Sequence, residues 1–391
     1  MRLSRFHDSA ADMRVVFITT ILPQYRVPFH EIVRKTLTDA GIVYDLLTGE
    51  PNAKRGSRGD TVQLPWTVRV PTRYFGSGEE AIVWQPVLQQ IWNCDLAIVT
   101  QENKLLANYV AQAFGFARSS RLALWGHGRN FQGDPDSAGE RWKRLWATRC
   151  DWWFTYTKGT KALIESYGFP GERITAFDNS TDTTELRELA ASVTSSELDD
   201  LRRRLRLSNG PIGIFVGGLH SHKRLDFLFD AAARVQAEIP QFQLLVVGDG
   251  PEADRVRAAE ARYPWLRATG ALFGREKAIA LKLSDAYLMP GLVGLGILDA
   301  MAVGLPMVTT RYPYHSPEIE YLSPGVNGLI VDNWRDGEAY AGAVVGLLRD
   351  ASRRAKLSSA AMETAGIYTI ENMARRFSDG VKAALVAPKR Q

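Results

Sequence analysis

The residues best suited to chemistry lie in glycine-rich turns between apolar runs and helical stretches. Met289-Pro-Gly-Leu-Val-Gly-Leu-Gly-Ile-Leu-Asp-Ala-Met-Ala-Val-Gly-Leu-Pro306 is one such stretch. Gly291, Gly294 and Gly296 precede a helical segment carrying Asp299, and Gly-Leu-Pro306 breaks it before the strand-like Met307 to Thr310. Strand, glycine turn and helix in that order offer backbone N–H groups to an anion. A carboxylate one turn into the helix suits hydroxyl groups instead, so the stretch fits a ligand that is both a phosphate and a sugar. Phe215-Val-Gly-Gly-Leu-His-Ser-His-Lys-Arg224 repeats the pattern. There Gly217 and Gly218 let N–H groups close on a phosphate, and Lys223 supplies a mobile point charge. Arg224 either adds a guanidinium fork or, as an early helical residue, faces solvent. Val247-Gly-Asp-Gly-Pro-Glu-Ala253, with Gly248 and Gly250, mimics a dinucleotide fingerprint. The acidic residue expected about 20 positions later is replaced by Ala268-Thr-Gly-Ala271, which weakens a nicotinamide reading.

Trp125-Gly-His-Gly-Arg-Asn130 ends a strand, a placement that points His127 at the ligand crevice of an α/β fold, although a lone histidine also serves as a structural hydrogen-bonder. His220 and His222 have no Cys or carboxylate cluster near them in sequence, and Asp134-Pro-Asp136 lies in a turn-forming Gly/Pro loop, so no metal site is expected.

The elements that must position these groups alternate between short Val/Ile/Leu-rich strands and helices. Strands are expected at 14–20, 42–47, 96–100, 121–125 and 151–157, with helices at 29–39, 79–92, 105–114 and 140–149. A charged helix at 194–207 and the break Ser208-Asn-Gly-Pro211 lead into a second series: strands at 212–216, 243–247 and 327–332, and helices at 224–237, 252–262, 336–349, 352–363 and 371–386. Such alternation predicts two doubly wound, Rossmann-like α/β domains facing each other across a cleft, each with ligands beyond the carboxyl ends of its strands. The division is placed at 1–195 and 196–370, with the helix from about 371 to 391 packing back on the first domain.

With 391 residues, 45% hydrophobic and 23% charged, the chain reads as an ordinary globular protein of two domains. No apolar run of about 18 residues suggests a membrane span, and Met1 to Met13 lacks the apolar core of a signal peptide. Cys94 and Cys150 read as reduced core residues, which favours a cytoplasmic setting. A net charge of +5 favours an anionic partner, while the lack of zinc-finger or RNA-binding signatures argues against nucleic acid. Gly49 to Asp60, with Lys54, Arg55 and Arg58, reads as a basic connector or an acceptor loop. Glu140 to Trp153 interleaves four tryptophans with basic residues. That pattern fits peripheral contact with an anionic membrane surface and equally fits inward-packed rings beside solvated charges.

Together these pieces resemble the retaining GT-B glycosyltransferases of family 4, also called glycosyl transferases group 1. The resemblance rests on Gly217-Gly-Leu-x-x-x-Lys223, Gly248-Asp-Gly-Pro251, Gly294-Leu-Gly-Ile-Leu-Asp-Ala-Met-Ala-x-Gly-Leu-Pro306 and Pro317-Glu318 with Gly325-Val-Asn-Gly328. The first half is looser, through Leu22-Pro-x-Tyr25-Arg26, Trp125-Gly-His127 and Asn179-Ser-x-Asp182. It implies an acceptor-binding first domain and a nucleotide-sugar-binding second domain. The implied reaction moves a sugar, with retention and without metal or cofactor, from a UDP- or GDP-linked donor to a saccharide or lipid-linked acceptor, as in polysaccharide or glycolipid assembly.

By the same resemblance, Gly218, Lys223 and the turn Gly294-Leu295-Gly296 bind the diphosphate, and Asp299 holds the ribose. Leu272 and Phe273 contact the base, and His127 contacts the transferred sugar or its phosphate. Two departures stand out. Gly291 occupies the position of a motif glutamate expected near the sugar hydroxyls, and Gly218 replaces an arginine. A nucleotide-sugar epimerase, a phosphorylase and a non-catalytic GT-B-like binding protein are the competing readings.

Overall fold

The computed structural model describes residues 13–52, 61–76, 78, 81–115 and 118–390. The basic residues Lys54, Arg55 and Arg58 lie outside the described residues. Two compact units form, one drawn from 1–130, 134–179 and 370–391, the other from 131–133 and 180–369.

The first unit is built on a parallel sheet. Its strands are β1 (Met13–Thr19), β2 (Ile42–Thr48), β3 (Val68–Arg69), β6 (Leu96–Thr100), β7 (Arg121–Gly126), β8 (Trp152–Thr155) and β9 (Ile174–Ala176), in the order β3-β2-β1-β6-β7-β8-β9. Between β3 and β6 in sequence, β4 (Arg73–Phe75) and β5 (Ile82–Trp84) form a separate antiparallel hairpin. The sequence predicts a helix over 79–92; residues 79 and 80 lie outside the described residues, and among the described residues of that span only Leu88–Trp92 is helical. Pro86 accounts for the difference, because it pushes Gln85 out of the helical region and starts the helix late. Val15, Ile98, Leu124 and Trp153 are fully or almost fully buried, as expected for strands covered on both faces. Cys94 and Cys150 are buried free thiols, and burial pushes the Cys94 thiol up to about 12.

The C-terminal helix Ile370–Val386 belongs to this first unit. Its Phe377 meets Phe29, Trp125 and Phe154 at ring-centroid distances of 5.2, 5.2 and 4.6 Å. Aromatic contacts at such spacing add to the area term and fix the helix in register. Beyond it, Arg121 and Arg173 donate to the carbonyls of Ala387 and Pro388, and the Arg390 backbone donates to Asp151.

The second unit holds β10 (Ile212–Val216), β11 (Gln243–Val247), β12 (Leu266–Gly270), β13 (Ala286–Met289), β14 (Met307–Thr310) and β15 (Gly328–Val331), ordered β12-β11-β10-β13-β14-β15 and parallel. Apart from residues 131–133 it begins at Ser180, so residues 180–195 cluster here, whereas the sequence division places them with the first domain. The reason is packing: Arg275 donates to the carbonyls of Leu189 and Ser192 and pairs with Glu197, joining helices Thr184–Ala191 and Ser195–Leu205 to Gly274–Leu283. A capping box between Thr194 and Glu197 starts the second of these helices.

In the first sheet the strand order reverses between β1 and β6, and in the second between β10 and β13. Connections leaving adjacent strands there run in opposite directions and open a crevice at the carboxyl ends.

Candidate functional site

In the second unit the reversal brings the segment after β10 against the segment after β13. The Leu292 N–H donates to the His222 carbonyl at 2.9 Å, and Lys223 Nζ donates to the Leu292 carbonyl at 2.6 Å. Burial lowers the Lys223 pKa to about 8, leaving the ammonium mostly charged at neutral pH. A Cβ on Gly291 would collide with the His222 carbonyl oxygen and lie 2.6 Å from the Lys223 carbonyl carbon. The loop after β13 is therefore sealed onto the turn after β10 at the position where the resemblance expected a glutamate. Buried His315 closes the other side: its Nδ1 accepts from the Val293 N–H at 3.0 Å, and its Nε2–H donates to the Thr310 carbonyl at 2.8 Å. Burial, with Lys223 adding to it, lowers the His315 pKa to about 4 against the opposing Thr310 bond, so the neutral tautomer persists.

Arg224 is neither a free fork nor a solvated side chain. Its φ is +57°, and its guanidinium donates to the carbonyls of Trp334 and Pro290 while lying 4.1 Å from the Phe227 ring centroid. Those contacts make it a strut under the loop. Gly248 and Gly250 are required by packing. A Cβ on Gly248 would collide with the Gly217 carbonyl oxygen, and one on Gly250 would sit 2.6 Å from the Leu219 oxygen. Leu219 N–H donates to the Asp249 carbonyl and Glu252 N–H to the Leu219 carbonyl, so the two glycine turns form one block. This packing, not a dinucleotide, explains the fingerprint-like spacing. Gly218 and Gly294 differ, since a Cβ at either would meet only ordinary contacts at 3.5 and 3.6 Å. Nothing internal demands glycine at those two positions.

Asp299 pairs with Lys277 at 2.7 Å, a partner that sequence reasoning missed. The helix that bears it, Gly296–Ala302, has seven residues, so its dipole is short and Lys223 is the principal positive charge near the turn. Leu295 is partly buried against the core, and so is Leu272, whereas Phe273 is 79% exposed at the start of the next helix. His222, Tyr312 and Tyr314 also border the loop; the first was seen only as a failed metal ligand. The tyrosines follow β14, and their strand-end position was the available signal.

In the first unit a pocket of about 300 Å³ opens at the β1/β6 reversal. Tyr25, Arg26, Asn52, Tyr74, Glu102 and Lys104 are among the residues lining it. Arg26 is buried and donates to Asn179 Oδ1 at 2.6 Å, which joins two sequence pieces that had matched only loosely. Tyr25 is 46% exposed. Asn52 falls in the 49–60 stretch read as a connector or acceptor loop, and Glu102 follows the strand end at Thr100; Tyr74 was not expected here and comes from the hairpin that periodicity did not reveal. His127 lies beside this pocket and outside its lining, with its ring 4.4 Å from Tyr156 in an edge-on contact. Surrounding protein mass, then the charges of Lys143 and Arg26, lower the His127 pKa and keep it neutral at pH 7, although its side chain reaches the surface. Among the described residues no group of three or more His, Cys, Asp or Glu could hold a metal ion.

Comparison with known proteins bears most directly on the second unit. Residues 210–350 match the family model described as Glycosyl transferases group 1. Sulfoquinovosyl transferase SQD2 of Arabidopsis thaliana is 34% identical over 115 residues, 28% of this chain and 22% of that protein. The GDP-mannose-dependent alpha-mannosyltransferase of Corynebacterium glutamicum is 33% identical over 152 residues, 38% of this chain and 34% of that protein. The matches thus span about a third or less of these two curated relatives. The crystal structure of Anabaena Alr3699/HepE in complex with UDP superposes with a TM-score of 0.70 at 17% identity, covering 95% of this chain and 99% of that one. That likeness shows the fold: two Rossmann-like units of the GT-B type.

Proposed function

We propose that the protein is a glycosyltransferase that transfers a sugar from a UDP- or GDP-linked donor to a saccharide or lipid-linked acceptor, with retention and without a metal ion. The observation that carries this reading is the buried, charged Lys223 at the β10/β13 reversal, inside the segment matching the group 1 model. Two open glycines, Gly218 and Gly294, lie in the turns that follow β10 and β13. One relative is named for GDP-mannose and one fold neighbour was solved with UDP, so both bases belong in the test.

Negative charge gathers on the leaving diphosphate as the anomeric carbon becomes oxocarbenium-like. Fixed N–H dipoles and Lys223 stabilise that charge without reorganising. The acceptor hydroxyl attacks on the face the diphosphate leaves, and the departing phosphate oxygen takes its proton, which conserves the anomeric configuration. Asp299 would hold ribose hydroxyls, and the exposed Phe273 would stack on the base. The pocket around Tyr25, Tyr74 and Glu102 would take the acceptor, with His127 at its margin. Purified protein incubated with radiolabelled UDP- and GDP-sugars and membrane extract should label an acceptor, and excess EDTA should leave the rate unchanged. Absence of transfer, hydrolysis and donor binding across the panel would overturn the reading.

The same proposal places the protein at an anionic membrane surface. No described helix is long and apolar enough to cross a membrane. Helix Ala138–Ala147 and the residues after it expose Arg141, Trp142, Arg144, Leu145 and Arg149, while its one carboxylate, Glu140, is buried and paired with Lys143. Each cation near an anionic surface contributes about 1 kcal/mol, and Trp142 and Leu145 add apolar area. Sedimentation with phosphatidylglycerol vesicles should retain the wild type at low salt and release the double variant Trp142→Glu, Leu145→Glu. Equal retention of both would refute the assignment of this face.

A further inference from the structure

Beside Lys223 runs a chain of ring side chains that the donor reading does not use. His220 and His222 have ring centroids 6.3 Å apart, His222 and Tyr314 6.0 Å, and Tyr314 and Tyr312 5.3 Å. His222 is fixed from behind, because its carbonyl receives the Leu292 N–H that seals the loop. Its Nδ1 lies 3.3 Å from the Tyr312 hydroxyl. With that O–H donating to Nδ1, the imidazole proton sits on Nε2, and the ring offers a donor on its other edge. Arg224 lies 5.4 Å over the Tyr312 ring and adds positive field.

The composition of the frame is one-sided. Three segments meet here, 217–224 (Gly-Gly-Leu-His-Ser-His-Lys-Arg), 290–294 (Pro-Gly-Leu-Val-Gly) and 311–316 (Arg-Tyr-Pro-Tyr-His-Ser), and none contains Asp or Glu. Arg311 is occupied by Asp332 at 2.6 Å. The sealed loop cannot accept an acidic side chain at Gly291 without moving the His222 backbone. A neutral hexose presents hydroxyl groups that both donate and accept, and it is held best where acceptors are present. A frame of imidazole N–H, phenol O–H and ammonium groups suits a ligand that only accepts.

We propose, resting on the donor reading above, that the donor sugar carries a carboxylate: a nucleoside diphosphate uronate, with His222 and Tyr314 as the residues that select it. The diphosphate engages Lys223 and the open glycines, and the carboxylate accepts from His222 Nε2–H and the Tyr314 hydroxyl.

The test is calorimetric titration of the full-length protein with UDP, UDP-glucose and UDP-glucuronate, and with GDP, GDP-mannose and GDP-mannuronate. For the base that binds, the uronate should bind at least about tenfold more tightly than the hexose, the value of one charge-assisted hydrogen bond. His222→Gln and His222→Ala should erase that preference and leave the affinity for the plain nucleoside diphosphate unchanged. If His222→Ala also loses the plain diphosphate, its fold is damaged, and Tyr314→Phe then reads the same preference. A nucleoside diphosphate that binds while hexose equals or outcompetes uronate would overturn the proposal and leave the donor reading standing. A preference that survives both the histidine and tyrosine variants would also overturn it. If neither UDP nor GDP binds, the donor reading itself falls and takes this proposal with it.

Discussion

Lys223→Met should lower the rate of sugar transfer by about 10²–10³-fold, the loss seen when one pre-organised group that stabilises transition-state charge is removed. Methionine keeps most of the volume at this buried position and deletes the charge, so the melting temperature should hold or rise. The lysine also sets a pH dependence with two opposite signs. Its pKa is lowered from 10.5 to about 8, so the unfolded chain binds the proton more tightly than the fold does. The cost of burying the ammonium is fully present below about pH 8 and is relieved as pH rises toward 10.5, so stability should increase across that window. Affinity for the nucleoside diphosphate should fall over the same window as the charge is lost, by at most about tenfold per pH unit. Both trends should vanish in Lys223→Met. Calorimetry and thermal melts between pH 7 and 10 measure them, and near-normal turnover by the methionine variant would remove Lys223 from the chemistry.

Restoring the family's acidic residue should break the site and not improve it. At Gly291 the first side-chain carbon already collides with the His222 carbonyl, so Gly291→Glu and even Gly291→Ala must push the loop off the turn. The expected cost is about 3 kcal/mol or more, which for a unit of this size is a fall of about 6–12 °C in melting temperature. Lys223 would lose its bond to Leu292 at the same time, and nucleoside diphosphate binding should fall with it. Gly294→Ala supplies the contrast. Its Cβ would meet only the Ser316 side chain, Oγ at 3.6 Å and Cβ at 4.0 Å, so stability should be unchanged while affinity for the diphosphate drops. An alanine at 291 that melts like the wild type would show that the loop is not sealed in solution.

The repeated strand–turn–helix grammar made the central strands of both sheets legible, because fully buried parallel strands are written as continuous Val/Ile/Leu runs, whereas the edge strands β3, β9 and β12 were not foreseen. The turn glycines were equally visible, but sequence could not sort them. Gly218, Gly248 and Gly291 look alike as letters; only the neighbouring backbone shows that two are demanded by packing and one is open. Arg224 failed for a related reason, since its left-handed backbone and the Trp334 carbonyl 110 positions away decide where it points. The hairpin bearing Tyr74 was hidden because its strands are three residues long, too short to display a period. Lys277 and Tyr314 entered through contacts across 22 positions or more, which no local pattern encodes.

The order in which the chain is made adds one consequence. The first unit is discontinuous: its sheet is complete by Ala176, yet Phe377, which fills the space among Phe29, Trp125 and Phe154, is translated only after the whole of the second unit. At about 5–20 residues per second, roughly 10–40 s separate the two events on the ribosome. During that interval the second unit can close its own core, while the nascent first unit displays an aromatic slot awaiting its plug. A chain stalled before 370 therefore leaves the rings of Phe29, Trp125 and Phe154 without the side chain that covers them.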